Sequence, residues 1–540
     1  MNYLGLTTGY FMKHKLFFIL LLLTTPSFAL AADTVPAAVE PDQDTLLRFT
    51  INQFVVEGAT LLSKAEIDAA VKPYLGKNKD FSDVQGALEA IEKAYAQRGF
   101  TAVSVVLPEQ ELEKGKVIFR ALESKFGTIT VKGNNFVSTE NALHALPSVH
   151  SGSVPRSKQI ARELKLANEN PKRKMSVALK AGEKNEEVDA TVQVTDSKPS
   201  AWKVSLDNTG SPETGRSRLE LSYGNANAFN ADHVAEIKYV TSPQYTDRVQ
   251  VLGGNYKIPL YRAGGSLEFF GAYSNINAVI GGLTNFQGGG GLLSVRYNQN
   301  FGRWGGFDPR LSFGLDWRNF KRIELGDAPP IVLYDEITVL PVSVTYAMAG
   351  KFSRSEINLG VSLASNVPKI SKGRAADFAA YDKVNLSQPE PNYKVLRGNA
   401  SYTQAIAEDW QFRTTLAAQR STDVLVQGEQ MRLGGADAVR GFSEGSESGE
   451  NAVVWKVEGL IPSFGGENIR ARVLVFYDAG HARPALNSKV TISSAGIGLR
   501  INYDEQLSLR LDVAEILKDG NDPEQQIGKR RLHLNLNAAF

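Results

Sequence analysis

The sequence predicts a transmembrane β-barrel of about sixteen antiparallel strands preceded by two small α+β domains. Three observations support this fold class. An apolar segment near the N-terminus is typical of an export signal. An order of strand, helix, helix, strand and strand then occurs twice, and strands with alternating apolar and polar residues fill the chain from Trp202 onward. Such alternation lets one face of a strand meet lipid while the other lines a polar lumen.

The N-terminal segment has the parts of a secretory signal peptide. The basic stretch Lys13–Lys15 precedes the apolar run Leu16–Leu23, and small residues follow at Ala29-Leu30-Ala31. The apolar run is too short to cross a bilayer as a helix, which needs about twenty residues. We therefore predict a signal peptide over residues 1–31 and a short linker over residues 32–45.

The composition excludes several kinds of function. Lys and Arg (60) nearly balance Asp and Glu (58), so no summed field attracts nucleic acid. The absence of cysteine removes disulfides and thiol chemistry, and the six His residues have no metal-ligand spacing. The glycine run Gly288–Gly291 lacks the Lys and Ser or Thr of a phosphate loop. We expect no enzyme activity, catalytic residue, metal, cofactor or nucleic-acid partner, and we expect the basic runs 172–174 and 529–531 to be solvated surface.

The first α+β domain is predicted over residues 46–123. Ser63 followed by Glu66 is a capping-box arrangement that opens a helix. The other predicted elements are a strand from Phe49 to Val55, a helix over Phe81–Gln97, and strands over Thr101–Leu107 and Lys116–Leu122.

The second α+β domain is predicted over residues 124–199, because the pattern of the first recurs. The spacing Ile51-x-x-Phe54-x-Val56-x-Gly58 has a counterpart that starts at Phe126, about 75 residues later. The predicted helices are Thr139–Ala145 and Ser157–Asn168, and the predicted strands are Met175–Lys180 and Val188–Val194. Any strand that ends in Gly gives a similar local pattern, but the matched element order favours a tandem repeat.

The barrel is predicted over residues 200–540. Its strands are placed near Trp202–Leu206, Arg218–Leu221, Val234–Tyr239, Arg248–Tyr256, Ser266–Tyr273, Leu292–Asn298, Leu311–Phe320, Leu340–Tyr346, Glu356–Leu363, Tyr393–Tyr402, Trp410–Gln419, Ala452–Leu460, Arg472–Ala479, Ile492–Ile501, Gln506–Val513 and Arg531–Phe540. The last strand alternates clearly and ends on the aromatic Phe540. A soluble β-sandwich also alternates, but it does not usually need so many strands of this length.

The polar segment Ser421–Glu450 contains a motif that the strand pattern places between the eleventh and twelfth strands, Val439-Arg440-Gly441-Phe442. This segment and Ser365–Asn392 are too long for periplasmic turns, so both are expected to face outward. On the thirteenth strand, Phe476 and Asp478 share one face, and Val473, Val475 and Tyr477 share the other. If the apolar face meets lipid, Asp478 points into the lumen, where a carboxylate requires a cation.

Together these features resemble the transporter half of two-partner secretion systems, the haemolysin/filamentous-haemagglutinin secretion-activation family. That family combines periplasmic POTRA domains with an outer-membrane barrel. Its Val-Arg-Gly-Phe motif, at the tip of the sixth extracellular loop, matches Val439-Arg440-Gly441-Phe442, and its Phe-x-Asp motif on strand thirteen matches Phe476-Tyr477-Asp478. The resemblance covers nearly the whole mature chain.

The resemblance implies that the loop folds into the pore and that Arg440 pairs with Asp478. Arg can make this contact with two parallel hydrogen bonds, and Lys cannot. Gly441 would let the backbone pass close to the wall, and Phe442 would pack nearby. The alternative is an ordinary solvated loop arginine and an ordinary lumenal carboxylate. Family members also carry an N-terminal plug helix. Because only a linker with Pro36 and Pro41 is available here, we expect the loop to be the main occluding element.

The function that the resemblance implies is protein secretion. The POTRA domains would hold the N-terminal secretion domain of an exported adhesin, haemolysin or related protein in extended form by strand addition. The barrel would translocate that partner to the cell surface. Folding of the partner outside the cell would draw its chain through the barrel. The expected location is the outer membrane, with the POTRA domains in the periplasm. Other expected contacts are outer-membrane lipid and the barrel-assembly machinery, with Phe540 as the C-terminal insertion signal of a monomer.

Two alternatives stay open at this point. An assembly factor of the same superfamily would insert barrels into the membrane, although such insertases typically carry more POTRA repeats. A passive pore or surface receptor would conduct without binding a secretion domain, and its POTRA domains would be spacers only.

Overall fold

The structure is a computed structural model that describes residues 47–111, 115–184, 186–280, 286–325, 331–369, 371–384, 386–485, 488–504 and 506–540. The predicted signal peptide, the linker and any plug helix within it lie outside these ranges. Within them, no helix has the length and apolar character needed to cross a membrane.

The first α+β domain contains β1 (Phe49–Ile51), β2 (Gln53–Glu57), α1 (Lys64–Val71), β3 (Gly76–Lys79), α2 (Phe81–Arg98), β4 (Val103–Val106) and β5 (Lys116–Glu123). Its sheet has the order β2-β5-β4, with β2 parallel to β5 and β4 antiparallel to it. The predicted capping box forms, since Ser63 and Glu66 bond each other's backbone N–H. The first strand, predicted as one, is divided at Asn52 because β1 pairs with β3, whose polar Gly-Lys-Asn-Lys sequence gave no strand signal.

The second α+β domain repeats this arrangement. It contains β6 (Lys125–Lys132), α3 (Thr139–His144), α4 (Ser157–Ala167), β7 (Arg173–Ala181) and β8 (Glu187–Asp196). The sheet order is β6-β8-β7, again with one parallel and one antiparallel pair. The two domains meet where α2 ends and α4 begins, and there the backbone N–H of Ser157 donates to the carbonyl of Gly99 at 2.8 Å.

Within the described residues, sixteen antiparallel wall strands form a closed barrel, which confirms the predicted fold class. They are β9 (Ser200–Asp207), β10 (Arg218–Ala228), β11 (His233–Thr241), β12 (Gln250–Leu260), β13 (Gly265–Ile280), β14 (Phe286–Asn300), β15 (Phe307–Phe320), β18 with β19 (Ile337–Val339 and Pro341–Lys351), β20 (Ser355–Asn366), β21 (Lys394–Ala407), β22 (Trp410–Arg420), β25 (Asn451–Leu460), β27 (Ile469–Arg483), β28 (Val490–Tyr503), β29 (Leu507–Lys518) and β30 (Arg530–Ala539).

Shorter elements lie in the connections: β16 (Ile323–Leu325), β17 (Ile331–Tyr334), α5 (Ala375–Ala379), β23 (Met431–Arg432), β24 (Ser448–Gly449) and β26 (Phe464–Gly465). The β16–β17 pair and α5 were not predicted. They are too short for hydrophobic periodicity to identify them.

The wall strands have one apolar outer face and one inner face. On β27, Val475 and Tyr477 are 59% and 40% exposed, whereas Phe476 and Asp478 are 5% and 0% exposed. These are the two faces that the alternation of the strand predicts. The barrel closes where β30 pairs with β9, and the backbone N–H of Phe540 donates to the carbonyl of Trp202 at 2.9 Å.

The two ends of the barrel differ in their connections. The α+β domains enter β9 at one end, here called the domain end, and the opposite end is called the loop end. Because the strands alternate in direction, the connections 367–393 and 421–450 both lie at the loop end. The connection between β21 and β22, at the domain end, is only Glu408 and Asp409.

The second α+β domain is joined to the domain end of the barrel by a buried ion pair. Arg173, the first residue of β7, lies 2.5 Å from Asp232 in the turn between β10 and β11, and both side chains are 1% exposed. Tyr261, in the next turn at this end, donates to the same carboxylate. The expectation that the basic run 172–174 is solvated surface is therefore wrong for Arg173, because the barrel turn covers it. Nothing in the local sequence identifies such a distant partner.

A second group of ion pairs flanks this joint. Glu169, which follows α4, binds Lys257 at 2.6 Å and Arg310 at 2.5 Å, both on wall strands. Burial raises the pKa of the Glu169 carboxyl, but the positive charges of Lys257 and Arg310 lower it by more than burial raises it. The pKa of Glu169 therefore lies below its usual value. The carboxylate therefore stays ionised at neutral pH and holds the two strands to the domain.

Candidate functional site

The loop between β22 and β25, residues 421–450, enters the lumen and is called the pore loop here. It starts at the loop end, yet Asp437 binds Arg510 with an oxygen–nitrogen distance of 2.8 Å. Arg510 is the fourth residue of β29 counted from the domain end. The carbonyl of Asp437 also accepts a hydrogen bond from Lys456 at 3.0 Å. The tip of the pore loop therefore extends through most of the depth of the barrel.

Arg440 of the pore loop binds Asp478 of β27 in a bidentate arrangement. Its Nε lies 2.7 Å from Oδ2, its Nη2 lies 2.8 Å from Oδ1, and its backbone N–H donates to Oδ2 at 3.2 Å. Both side chains are fully buried. Such a pair adds little net stability, because desolvation offsets the attraction, but removing one partner costs about 3–5 kcal/mol. The pair is therefore best suited to fixing the position of the loop.

Two further wall carboxylates surround the guanidinium. Its Nη1 lies 2.9 Å from Glu458 on β25 and 3.5 Å from Asp512 on β29. The ring of Phe476 lies below it, with the guanidinium carbon 3.5 Å from the ring centroid. Both members of the sequence motif Phe476-x-Asp478 thus contact Arg440 directly.

Glu458 and Asp512 are parts of this site that sequence reasoning did not identify. Both lie on inward faces, since Glu458 is two residues from the lumenal Lys456 and Asp512 is buried. The alternation argument applied to Asp478 would have found them, had it been extended to β25 and β29. Asp512 also binds Arg500 and Arg510, each at 2.8 Å, so the site is a network of both charges.

Gly441 and Phe442 seat the loop against the wall. Gly441 has a φ of +94°, in the left-handed region, and a Cβ at this position would lie 3.3 Å from that of Ala514. Its N–H donates to His533 Nε2 at 2.9 Å. Phe442 and Val439 are buried in one apolar cluster with wall residues that include Ile492 and Ile516. Glycine is therefore required here both for conformation and for closeness to β29.

The site contains groups suited to ion pairing. In the part of the chain that the structure describes, no group of three or more His, Cys, Asp or Glu side chains is placed to hold a metal ion. Phe540 lies apart from the pore loop, at the domain end of the seam between β30 and β9.

Comparisons with known proteins identify the family. Residues 187–501 match the family described as haemolysin secretion/activation protein ShlB/FhaC/HecB, and residues 49–124 match the ShlB-type POTRA domain. The heme/hemopexin transporter protein HuxB of Haemophilus influenzae (strain 86-028NP) is 23% identical over 501 residues, which cover 85% of this chain and 81% of HuxB. The outer membrane transporter CdiB of Dickeya dadantii (strain 3937) is 23% identical over 80% of this chain and 76% of CdiB.

Two solved structures share the fold. CdiB from Escherichia coli superposes with a TM-score of 0.75 at 19% identity, covering 93% of both chains. CdiB from Acinetobacter baumannii gives a TM-score of 0.67 at 14% identity, also over 93% of both chains. Because the family match spans more than half of the sequence, the chain belongs to the haemolysin secretion/activation protein family and is an outer-membrane two-partner secretion transporter, with POTRA domains in the periplasm, that translocates an exported partner protein.

Proposed function

We propose that this transporter exports a large adhesin, haemolysin or related protein whose N-terminal secretion domain binds the POTRA domains in extended form. The observation that carries this proposal is a barrel whose own loop is held in the lumen through Arg440 and Asp478, with two α+β domains at its domain end. An extended chain can add to an exposed sheet edge of such a domain by strand addition. Folding of the partner outside the cell then draws the chain across.

The pore loop acts as the gate in this proposal. A barrel of sixteen strands leaves an aqueous channel once its contents move aside. Arg440, Gly441, Phe442 and Val439 hold the loop in the closed position against Phe476 and Asp478. The passing partner displaces the loop, and the loop returns after transport.

We propose that the chain consists of a signal peptide (1–31), a linker (32–45), two POTRA domains (46–123 and 124–199) and the barrel (200–540). Phe540 serves as the insertion signal read by the barrel-assembly machinery, and the transporter works as a monomer in outer-membrane lipid. No step of the cycle makes or breaks a covalent bond, so no enzyme activity is proposed.

Deletion of the gene separates secretion from barrel assembly. We expect a neighbouring gene to encode the exported partner, and we expect that partner to accumulate in the periplasm while other outer-membrane barrels stay at normal levels. A general fall in those barrels would instead identify an assembly factor. A passive pore is tested with the purified full-length transporter, which should bind the secretion domain of the partner. A pore or receptor of another kind would conduct ions without that affinity.

Substitutions in the motif pair test the gate. Arg440→Ala and Asp478→Ala should each impair secretion and raise channel conductance while the barrel stays inserted, as judged by its heat-modifiable mobility on gels. The charge swap, Arg440→Asp with Asp478→Arg, should recover part of the closed state. A swap that behaves no better than the single variants would leave direct pairing without functional support.

A further inference from the structure

A second buried ion cluster holds the other limb of the pore loop. Glu429 lies in the first part of the loop, and its side chain is fully buried. Its Oε1 lies 2.8 Å from Nη1 of Arg318 on β15, and its Oε2 lies 3.0 Å from Nη2 of Arg397 on β21. These are the seventh and tenth wall strands, whereas the Arg440 site uses the twelfth, thirteenth and fifteenth. The loop is therefore anchored to two sectors of the wall.

The two anchors have opposite polarity. At the first, a cation of the loop binds carboxylates of the wall. At the second, a carboxylate of the loop binds arginines of the wall.

The wall residues of the Glu429 anchor keep partners of their own. Arg318 Nη2 binds Asp316 at 2.6 Å, and Arg397 Nε binds Gln419 at 2.8 Å. If Glu429 leaves, neither arginine loses all its partners. Asp478 differs, because within the described residues the hydrogen bonds that it accepts come from Arg440. When Arg440 leaves, the cation beside Asp478 is Lys456, its register partner on β25, which donates to the carbonyl of Asp437 in the closed state. Asp478 must therefore exchange partners, whereas the arginines of the Glu429 anchor keep theirs, so the Glu429 anchor is the easier of the two to release.

The backbone beside Glu429 fits the wall closely. A Cβ on Gly428 would overlap the ring of Phe320 on β15. Leu425 and Val426, a few residues earlier, are buried in an apolar cluster that includes Ile337 and Tyr393. This limb therefore occupies a shaped seat that does not depend on the Arg440 site.

We propose that Glu429 is a positioning residue of the transporter, which holds the first limb of the pore loop against Arg318 and Arg397 and is released before Arg440 during opening. The inference rests on the proposed function, in which the pore loop closes the channel. Release of this limb alone opens part of the lumen while the tip stays bound to Asp478.

The test is channel recording with the full-length transporter in planar bilayers. Glu429→Gln keeps the shape of the side chain and removes its charge. We expect openings about tenfold more frequent than in the wild type, since a hydrogen bond to a charged group contributes that much to an equilibrium. Arg397→Gln removes one of the two arginine contacts of Glu429 from the wall side and should give a smaller increase in the same direction. The two changes combined should exceed Glu429→Gln by little, because the contact with Arg397 is weakened in both.

The matched control is Glu444→Gln in the same loop. Its carboxylate accepts from the backbone N–H of Ala436 within the loop, so opening should stay at the wild-type frequency. If Arg440→Ala opens the channel and neither Glu429→Gln nor Arg397→Gln does, the inference is overturned and the proposed function stands. If Arg440→Ala also leaves the channel closed, the proposed gate itself is wrong. Effects of Glu429→Gln and Arg397→Gln that multiply would also overturn the inference, since they would indicate independent damage to the barrel.

Discussion

Two buried Arg–Asp pairs, one at the periplasmic joint and one in the lumen, have almost the same chemistry and different surroundings. The joint pair, Arg173 with Asp232, lies among neutral groups: Arg173 also donates to Asn141 at 3.2 Å and to the carbonyl of Ala167 at 3.4 Å. The lumenal pair, Arg440 with Asp478, lies in a network of other charges.

The difference indicates which pair can exchange partners. If Asp232 moved away, Arg173 would keep only neutral partners in a buried position, so the joint is suited to permanent attachment. If Arg440 moved away, Lys456, the register partner of Asp478 on the adjacent strand, could compensate the carboxylate. Exchange of partners lowers the cost of separating ions, so the lumenal pair is suited to opening and closing. A buried salt bridge surrounded by neutral groups is thus suited to fixed attachment, whereas one surrounded by other charged groups can exchange partners and move.

The largest expected effect is at the joint. Asp232→Asn tolerates the positive φ of this turn and removes only the charge, so it should destabilise the attachment of the second α+β domain by about 3–5 kcal/mol. Hydrogen exchange of the β7 backbone measures this, with the barrel strands as an internal reference. Asp308→Asn is the matched control, since it breaks the more exposed pair with Lys165 and should cost less than about 1 kcal/mol. Equal exchange in the two variants would contradict the account.

A smaller effect is expected at the seat of the pore loop. Gly441→Ala forces a Cβ into a left-handed conformation, which should weaken the closed state by about 1–2 kcal/mol. Channel openings should become more frequent with the barrel intact. Gly466→Ala is the control, because its added Cβ meets no atom within 4 Å. Unchanged opening in Gly441→Ala would mean that the loop is not held at this point.

The smallest effect is a pH dependence at the joint. The folded pKa of Glu169 is lowered, so its contribution to stability is present above its unfolded pKa of about 4.3 and is lost as the pH falls through the lower folded value. The thermal midpoint of the joint should fall in acid for the wild type and fall less for Glu169→Gln. If the thermal midpoints of the two proteins fall in parallel with pH, the ion pairs of Glu169 with Lys257 and Arg310 do not stabilise the joint.

The fold could be predicted because successive residues of a barrel strand face the outside and the lumen in turn, and their polarity alternates accordingly. Alternation located the wall strands, and on β27 it also distinguished Asp478 from its neighbours Val475 and Tyr477. The strand count then placed Arg440 between the eleventh and twelfth strands, where the structure has it. Short elements such as β3 and α5 were not predicted, since four or five residues are too few to show a hydrophobic period.

Contacts between distant segments could not be predicted in the same way. Arg173 lies in a basic run that looks solvated, and its partner Asp232 belongs to a barrel turn. The same holds for Glu429, whose two arginines lie on strands far from it in sequence. Alternation gives the direction of a side chain, but it does not say which other side chain will be opposite. Only the closed barrel brings these groups together.

A reversible lock on the pore loop tests the central claim that the loop must leave its seat for a partner to pass. Val439 Cγ2 lies 3.0 Å from where a Cβ would stand at Gly480 on β27, and the chain has no cysteine of its own. Val439→Cys combined with Gly480→Cys therefore brings a sulfur at position 439 within bonding reach of one at position 480, so that a disulfide can join loop and wall. The account predicts that secretion stops in the oxidised double variant and resumes on reduction, while each single variant secretes in both conditions. Undiminished secretion with the disulfide fully formed would contradict it.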